Sequence, residues 1–407
     1  MAKASRAVFL RRRIAVGAAG AVLLAVGIYT PLTLLAPVPT VAAELVPLPA
    51  PEPVAAAVVL PGFGVSGITA LSEPGTLAAV DDGAQHPIAS ITKAITAMVV
   101  LAARPMDPAG DGETITFTEQ DEQFYADQIA GGGSAEPVTA GVSVSQRDVL
   151  ELMLLPSANN VAQTLATWAF GSEAAYVDAA RAWLLEQGMT GTTITDASGY
   201  DDANASTVTD LLTLARLITV DAVLAPIVAL PAADVPDTGI VENSNRLIGT
   251  VGVDGIKTGT SPLAGACLLF SADAVVGSQN VTIVGVVLGG PNHATVREAA
   301  AAMIASTVAG FREVEVIADS TPIADYDQVW GDAATAITAD PISLLVWSDT
   351  PITIDVSVGS VSLAEAGVGV GTVTVTSGPR TASTAVELDA AIEDPGPWWR
   401  LTNPGVL

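Results

Sequence analysis

An α+β fold is predicted: one antiparallel sheet built from both ends of a large domain, a helical insertion between, then a small all-β domain. Three observations carry this reading. Extended runs at 67–71 and 75–80 flank a turn at Glu73-Pro74-Gly75, and three more follow at 252–257, 266–271 and 281–288. Helical patterns fill 90–103, 145–153, 159–170, 173–187 and 209–218 between those two groups. From Glu313 onward period-two alternation takes over, as in Ile352, Ile354, Val356 and Val358, while helix signals fade.

The elements follow in order. Lys3, Arg6, Arg11, Arg12 and Arg13 place five of the 16 basic residues in the first thirteen positions, and the first acid is Glu44. Between them, 14–35 is an uncharged stretch of 22 residues, long enough to cross a bilayer core as a helix. The positive-inside rule puts the arginines in the cytoplasm and the rest of the chain outside. Val41-Ala42-Ala43 has the small residues of a signal-peptidase site and Pro31 interrupts the apolar run. The segment 1–35 is therefore expected as a retained membrane anchor, with cleavage and secretion as the alternative. A Pro/Ala-rich stretch, 36–61, carries seven prolines and reads as a spacer. The sheet-and-helix domain is expected over 62–312 and the β-rich domain over 313–407. Ser90 opens a helix that is apolar nearly all round, hence buried. Residues 296–311 read as a long closing helix. The Gly-Val-Gly-Val-Gly run around Gly369 lacks a following helix, so a twisted or bulged strand is expected there.

Composition excludes whole function classes. Net charge is -27 and the sequence pI about 4.1, which leaves no basic face for nucleic acid. A single cysteine, Cys267, forbids an internal disulfide or a multi-thiolate metal site. Two histidines, His86 and His293, are the whole supply for a zinc site or a Ser-His-Asp triad. None of H-E-x-x-H, H-x-E and G-x-S-x-G is present, so no metal or other cofactor is expected.

Lysine is the informative residue. The chain has three, and two of them close or open short motifs: Ser90-Ile91-Thr92-Lys93 and Lys257-Thr258-Gly259-Thr260. At i and i+3 of a helix, Ser90 and Lys93 share a face. A serine hydroxyl needs a base within hydrogen-bond reach, and a desolvated lysine amine can be that base. The Ser90 N–H, at a helix start, has no intrahelical acceptor and suits an oxyanion. Ser157-Ala158-Asn159 follows Leu154-Leu155-Pro156 and opens a helix. It is either an N-cap serine with an Asn in the first turn, or a hydroxyl that relays a proton between Lys93 and a leaving amine. In the second reading Asn159 holds Lys93 and bonds the substrate amide. Lys257-Thr258-Gly259 is either a strand running into a turn or a strand edge beside which a substrate backbone lies as an extra strand. There Lys257 and Thr258 bind a carboxylate and the Thr260 N–H completes the oxyanion hole.

Taken in order with their flanks, these three motifs resemble those of the D-alanyl-D-alanine carboxypeptidases, the low-molecular-mass penicillin-binding proteins. The flanks are Ala89-Ser90-Ile91-Thr92-Lys93, 154–160, 253–260 and Asn243-Ser244-Asn245, and the resemblance covers roughly 62–312. It implies a β-lactamase/transpeptidase-like catalytic domain, an antiparallel sheet with a helical subdomain, and often a β-rich domain behind it. It also implies an acyl-enzyme on Ser90, formed with Lys93 as base from peptidoglycan stem peptides ending in D-Ala-D-Ala, and acylation by β-lactams. Two departures stand out. The chain ends Pro397-Trp398-Trp399-Arg400-Leu401 and six more residues, not in the amphipathic membrane helix of many relatives, and Asp196-Ala197-Ser198-Gly199-Tyr200 replaces the usual Asn-Pro-x-Gly-Leu. The alternatives are a class A-like β-lactamase, for which Glu173, Glu186 and Glu242 lie in the right interval without the right motif, and a catalytically silent membrane-tethered scaffold.

Overall fold

The computed structural model describes residues 6–407, so Lys3 of the basic patch lies outside the described residues. Its first element, α1 (Arg6–Leu34), is a helix of 29 residues with mean hydropathy 1.9, long and apolar enough by length and composition to cross a membrane. A two-residue strand, β1 (Glu44–Leu45), follows.

The chain divides into two compact units. One comprises Val54–Glu313 with Leu345–Asp349. Its sheet is made by β2 (Val65–Ala70), β3 (Ala78–Val80) and, after the helical insertion, three long strands. The insertion holds α2 (Thr92–Ala103), α3 (Glu119–Gly131), α4 (Gln146–Leu154), α5 (Asn159–Phe170), α6 (Glu173–Glu186) and α7 (Val208–Val220). Then come β4 (Val253–Ser261), β5 (Gly265–Val276), β6 (Gln279–Gly290) and the closing helix α8 (His293–Gly310). The sheet order is β4-β5-β6-β2-β3, antiparallel throughout. The α+β expectation, with the sheet drawn from both ends and helices between, holds.

The middle strands are buried on both faces, which is why their sequences are nearly unbroken apolar runs. One face packs on the helical insertion through Val284 and Val286 against Ile91, Ile95, Leu150 and Leu214. The other packs on α8 through Ile68, Phe270 and Ile283 against Met303 and Ile304. Val58 and Leu60 pack against this second cluster, so the unit begins at Val54, ahead of the expected Gly62.

β4 is an edge strand, free on the side away from β5. Helix α3 was not foreseen. It is polar, with Glu119, Asp121 and Glu122 in its first turn, and buries only Asp121 and Gln128, so it has no apolar stripe. What starts it is a capping box, in which Thr118 N donates to Asp121 Oδ2 at 2.7 Å.

The second unit comprises Met1–Pro53, Val314–Leu344 and Thr350–Leu407. Its sheet runs β1-β7-β8-β11-β10-β9, with β7 (Pro322–Asp327), β8 (Ala333–Thr338), β9 (Ile352–Val358), β10 (Gly369–Ser377) and β11 (Arg380–Leu388). A register shift between Gly369 and Gly371 makes the Gly-Val-Gly run a bulged strand, as expected. A short helix, α9 (Gly396–Thr402), ends the unit.

The Pro/Ala-rich stretch is more than a spacer. Glu44 and Leu45 pair with Asp325 and Ala324, and Val41 exchanges backbone hydrogen bonds with Val361 at 2.8 and 3.0 Å. Between Pro39 and Pro47 the backbone N–H groups are intact, so this short piece can join a sheet edge.

Candidate active site

The three motifs converge at one end of β4. The site begins with strain. Ala89 has φ 44 and Ser157 φ 71, left-handed values that cost a non-glycine residue roughly 1–3 kcal/mol. Each lies on or beside a candidate hydroxyl. Ala89–Ile91 form a 3-10 turn leading into α2, which presents Ser90 at the surface of the cleft and buries Lys93 completely. Ser157 is not an N-cap: the cap of α5 is Ala158. The Ser157 side chain is 7% exposed and makes no hydrogen bond among the described residues.

Around Lys93 Nζ stand three oxygens: Asn159 Oδ1 at 2.6 Å, the Ser198 carbonyl at 2.7 Å and Ser90 Oγ at 2.9 Å. Burial pushes the Lys93 amine well below its ordinary value, the charge of Lys257 adds to this, and Asp196 opposes it. A neutral amine has two N–H donors and one lone pair. Two pure acceptors, Asn159 Oδ1 and Ser198 O, consume the donors, which leaves the lone pair toward the Ser90 hydroxyl. The Asn159 amide is itself oriented, since its Nδ2 donates to Gln128 Oε1 at 2.9 Å. Gln128 comes from α3, the helix the sequence reading lacked.

The 196–204 loop supplies the Ser198 carbonyl and is held by one carboxylate. Asp196 accepts from Ser198 N and Gly199 N, both at 2.6 Å, and from Asp201 N and Asn204 Nδ2 at 2.8 and 2.9 Å. Gly199 is required there. Its φ is +78, and an added Cβ would stand 1.9 Å from the Ala89 carbonyl oxygen. Behind the loop Thr96 donates to Ala197 O at 2.6 Å, and Glu173 accepts from Ala197 N at 3.0 Å. Glu173 thus braces the loop. Of the other two glutamates in that interval, Glu242 pairs with Arg246 at 2.6 Å and Glu186 is exposed.

Lys257 is 1% exposed on β4, and its only hydrogen bond among the described residues is a long one, 3.3 Å, to Thr258 O. Burial lowers its amine to about 7. Thr258 Oγ1 lies 2.8 Å from Ser244 Oγ, in the Asn243-Ser244-Asn245 segment singled out by the sequence. Gly259 packs against the turn that carries Ser90: a Cβ there would lie 2.8 Å from Ile88 O and 3.3 Å from Ser90 N. Thr260 Oγ1 is 2.5 Å from His293 Nε2 at the start of α8. An open cleft of about 430 Å³ joins these groups, lined by Ser90, Ser134, Asn159, Tyr200 and Thr260, with a Ser261–Asp202 hydrogen bond at its rim.

Sequence reasoning missed Gln128, and it named the 196–200 segment and His293 without the contacts the structure gives Asp196, Ser198 and His293. The capping box at Thr118-x-x-Asp121 could have revealed α3 and so Gln128. The side chain of Ser198 does not reveal its contact with Lys93, because that contact is made by the backbone carbonyl.

Comparison with known proteins follows the same line. The family described as D-alanyl-D-alanine carboxypeptidase matches residues 74–292, more than half of the chain. A D-alanyl-D-alanine endopeptidase of Pseudomonas aeruginosa is 36% identical over 129 residues, covering 31% of this chain and 38% of that protein. The D-alanyl-D-alanine carboxypeptidase DacB2 of Mycobacterium tuberculosis is 32% identical over 192 residues, covering 45% of this chain and 61% of that protein. The chain thus spans less than two thirds of these relatives' lengths. In fold it is similar to a peptidoglycan synthesis regulatory factor (PBP3) from Streptococcus pneumoniae, with TM-score 0.59 and 20% identity over 83% of this chain and 100% of that one. Penicillin binding protein 5 from Haemophilus influenzae is comparable, with TM-score 0.58 and 18% identity over 83% of this chain and 98% of that one. The extent of the family match decides the assignment: the chain belongs to the D-alanyl-D-alanine carboxypeptidase family.

Proposed function

We propose that this chain is a membrane-anchored serine carboxypeptidase that removes the terminal D-alanine from peptidoglycan stem peptides. The observation that carries the reading is the environment of Lys93, where two acceptors use both N–H groups of a neutral amine beside Ser90 Oγ.

In the first step Ser90 Oγ attacks the carbonyl carbon of the D-Ala-D-Ala peptide bond and gives its proton to Lys93 Nζ. The oxyanion is received by the Ser90 and Thr260 N–H groups, where one lost donor costs roughly 10²–10³ in rate. Lys93 then returns the proton, through Ser157 Oγ, to the departing amine, and the C–N bond breaks to free D-alanine. Ser157 suits this relay because its hydroxyl has no other hydrogen-bond partner among the described residues. A water attacks the Ser90 ester with Lys93 again as base, which releases the shortened peptide and restores the serine. Meanwhile the substrate lies beside the free edge of β4, Asn159 bonds its amide, and Lys257 and Thr258 take its carboxylate. A β-lactam presents the same carboxylate and a strained amide, so it acylates Ser90.

Residues 14–34 of α1 serve as the anchor, and the chain that follows it lies outside the cytoplasm. Release of free D-alanine from a pentapeptide tests the reading directly. A cross-linked dimer offered alongside tests endopeptidase action, the activity named for the Pseudomonas aeruginosa relative. Labelled penicillin that stays bound supports the carboxypeptidase, whereas rapid turnover indicates a β-lactamase. A folded protein that neither labels nor releases D-alanine would return the chain to the scaffold reading.

A further inference from the structure

Charge changes sign along β4. Lys257 on this strand and Arg297 on α8 both act electrostatically on His293, whose Nε2 meets Thr260 Oγ1. One residue further, Ser261 ends the strand, and its Oγ donates to Oδ1 of Asp202. Among the described residues that line the cleft, Asp202 is the one with a formal charge. Its partner is itself held, since Ser261 Oγ accepts from Ala264 N at 2.9 Å.

Three carboxylates stand in the 196–202 stretch, and two are spent on the loop itself. Asp196 organises the turn through both oxygens, as described for the site. Asp201 accepts from Ala203 N through Oδ1 at 2.9 Å and from Thr195 Oγ1 through Oδ2 at 3.2 Å. Asp202 differs. Its Oδ1 takes the Ser261 proton, and Oδ2 has no hydrogen bond among the described residues. The side chain is partly buried, so a cation that reaches it is screened less than on an open surface. What reaches it follows from the order of sites on β4. In the proposed mechanism the substrate carboxylate lies at Lys257 and Thr258, and the scissile carbonyl at the Thr260 N–H. The chain N-terminal to that carbonyl continues past Thr260 toward Ser261, which brings the residue before the D-Ala-D-Ala pair level with Asp202.

We infer that Asp202 is a specificity-determining residue, whose carboxylate receives the side-chain amine of a diamino acid preceding D-Ala-D-Ala in the stem peptide. Such an amine is cationic near neutral pH and supplies the donor that Oδ2 lacks. The ligand is then dipolar in the same sense as β4, with its anion at Lys257 and its cation at Asp202. Tyr200 lines the same cleft and is held there, its hydroxyl donating to Gly131 O at 2.8 Å. Its ring offers the methylene stem of the amine an apolar face, as long cationic side chains require. This role deepens the proposed carboxypeptidase activity and presupposes it.

The test offers the full chain two forms of L-lysyl-D-alanyl-D-alanine, both acetylated at the α-amine, one with the ε-amine free and the other with it acetylated. The parent should hydrolyse the free-amine peptide with a kcat/KM roughly five- to twentyfold higher, the worth of a partly screened charged hydrogen bond, and added salt should narrow the gap. Asp202→Asn can keep the Ser261 hydrogen bond but not the charge, so its kcat/KM values for the two peptides should become equal while labelled penicillin still reacts. Asp202→Lys should instead favour a peptide whose ε-amine is succinylated and so carries a carboxylate. Equal kcat/KM for the two peptides in the parent, or a preference that survives Asp202→Asn, overturns the inference and leaves the carboxypeptidase standing. A folded parent that releases D-alanine from neither peptide overturns both.

Discussion

Two lysines are buried in the same site, and their surroundings could hardly differ more. Lys93 Nζ has three oxygens within 2.6–2.9 Å, whereas Lys257 Nζ has one backbone carbonyl at 3.3 Å. Both amines are depressed by burial. The first pocket is complete without substrate, and it is complete for a neutral amine. The second is a desolvated donor with one long hydrogen bond to a backbone carbonyl among the described residues, an environment that burial makes costly for a charged amine. In the proposed mechanism preorganisation and vacancy divide the work between catalysis and recognition, and the same residue type serves both because only its neighbours differ.

The largest effect is expected at the first pocket. Lys93→Met should lower the rate of acylation by about 10²–10⁴-fold, the usual contribution of a general base, with the protein still folded. Stopped-flow labelling with a fluorescent penicillin measures it.

Gly199→Ala strikes the same pocket from behind. A Cβ 1.9 Å from Ala89 O, at φ +78, forces the loop or the Ser90 turn to move. A displacement of this kind costs on the order of 10²-fold in acylation. Asp196→Asn, which keeps the shape of the turn organiser but not its charge, should lose less.

At the second pocket the pattern changes. Lys257→Gln should raise KM for a peptide with a free carboxylate by roughly ten- to a hundredfold, the worth of a hydrogen bond to a charged group, and leave an amidated analogue unaffected. Lys257 also sets a pH dependence. Its folded-state value of about 7 lies below the roughly 10.4 of an unfolded lysine, so between them the unfolded chain binds more protons. Stability contributed by this group therefore rises with pH across that window, and the penalty is fully present below it. Lys257→Gln should melt higher than the parent at pH 6, with the gap shrinking toward pH 10, as calorimetry would show.

The smallest effect belongs to His293. Burial and the charges of Arg297 and Lys257 hold its imidazole below the ordinary value, so it faces Thr260 Oγ1 as a neutral partner. His293→Gln keeps one hydrogen bond and should change kcat only a few-fold.

Much of this was legible in the sequence because it is written in side chains of rare type. Three lysines in 407 residues made Lys93 and Lys257 conspicuous, and the extended runs around Gly259 fixed the strand that carries Lys257. The apolar all-round pattern of 90–103 correctly announced a buried helix. What could not be read was whatever acts through backbone or through distant polar contact. Ser198 holds Lys93 by its carbonyl, Gln128 orients Asn159 from a helix without an apolar stripe, and Ser157 proved to be a strained left-handed residue instead of a cap. The Pro/Ala-rich stretch misled in the opposite direction. Its composition says spacer, but the proline-free piece between Pro39 and Pro47 was enough to join a sheet.

The most direct test of the central claim, that the Lys93 pocket readies Ser90 as a nucleophile, is to locate the adduct. The full chain is incubated with benzylpenicillin, digested, and mapped by mass spectrometry. One penicilloyl group on Ser90, absent from Ser90→Ala and from Lys93→Met over the same time, is the predicted result. Acylation of another residue, or equal acylation of Ser90 when Lys93 is replaced, would contradict it.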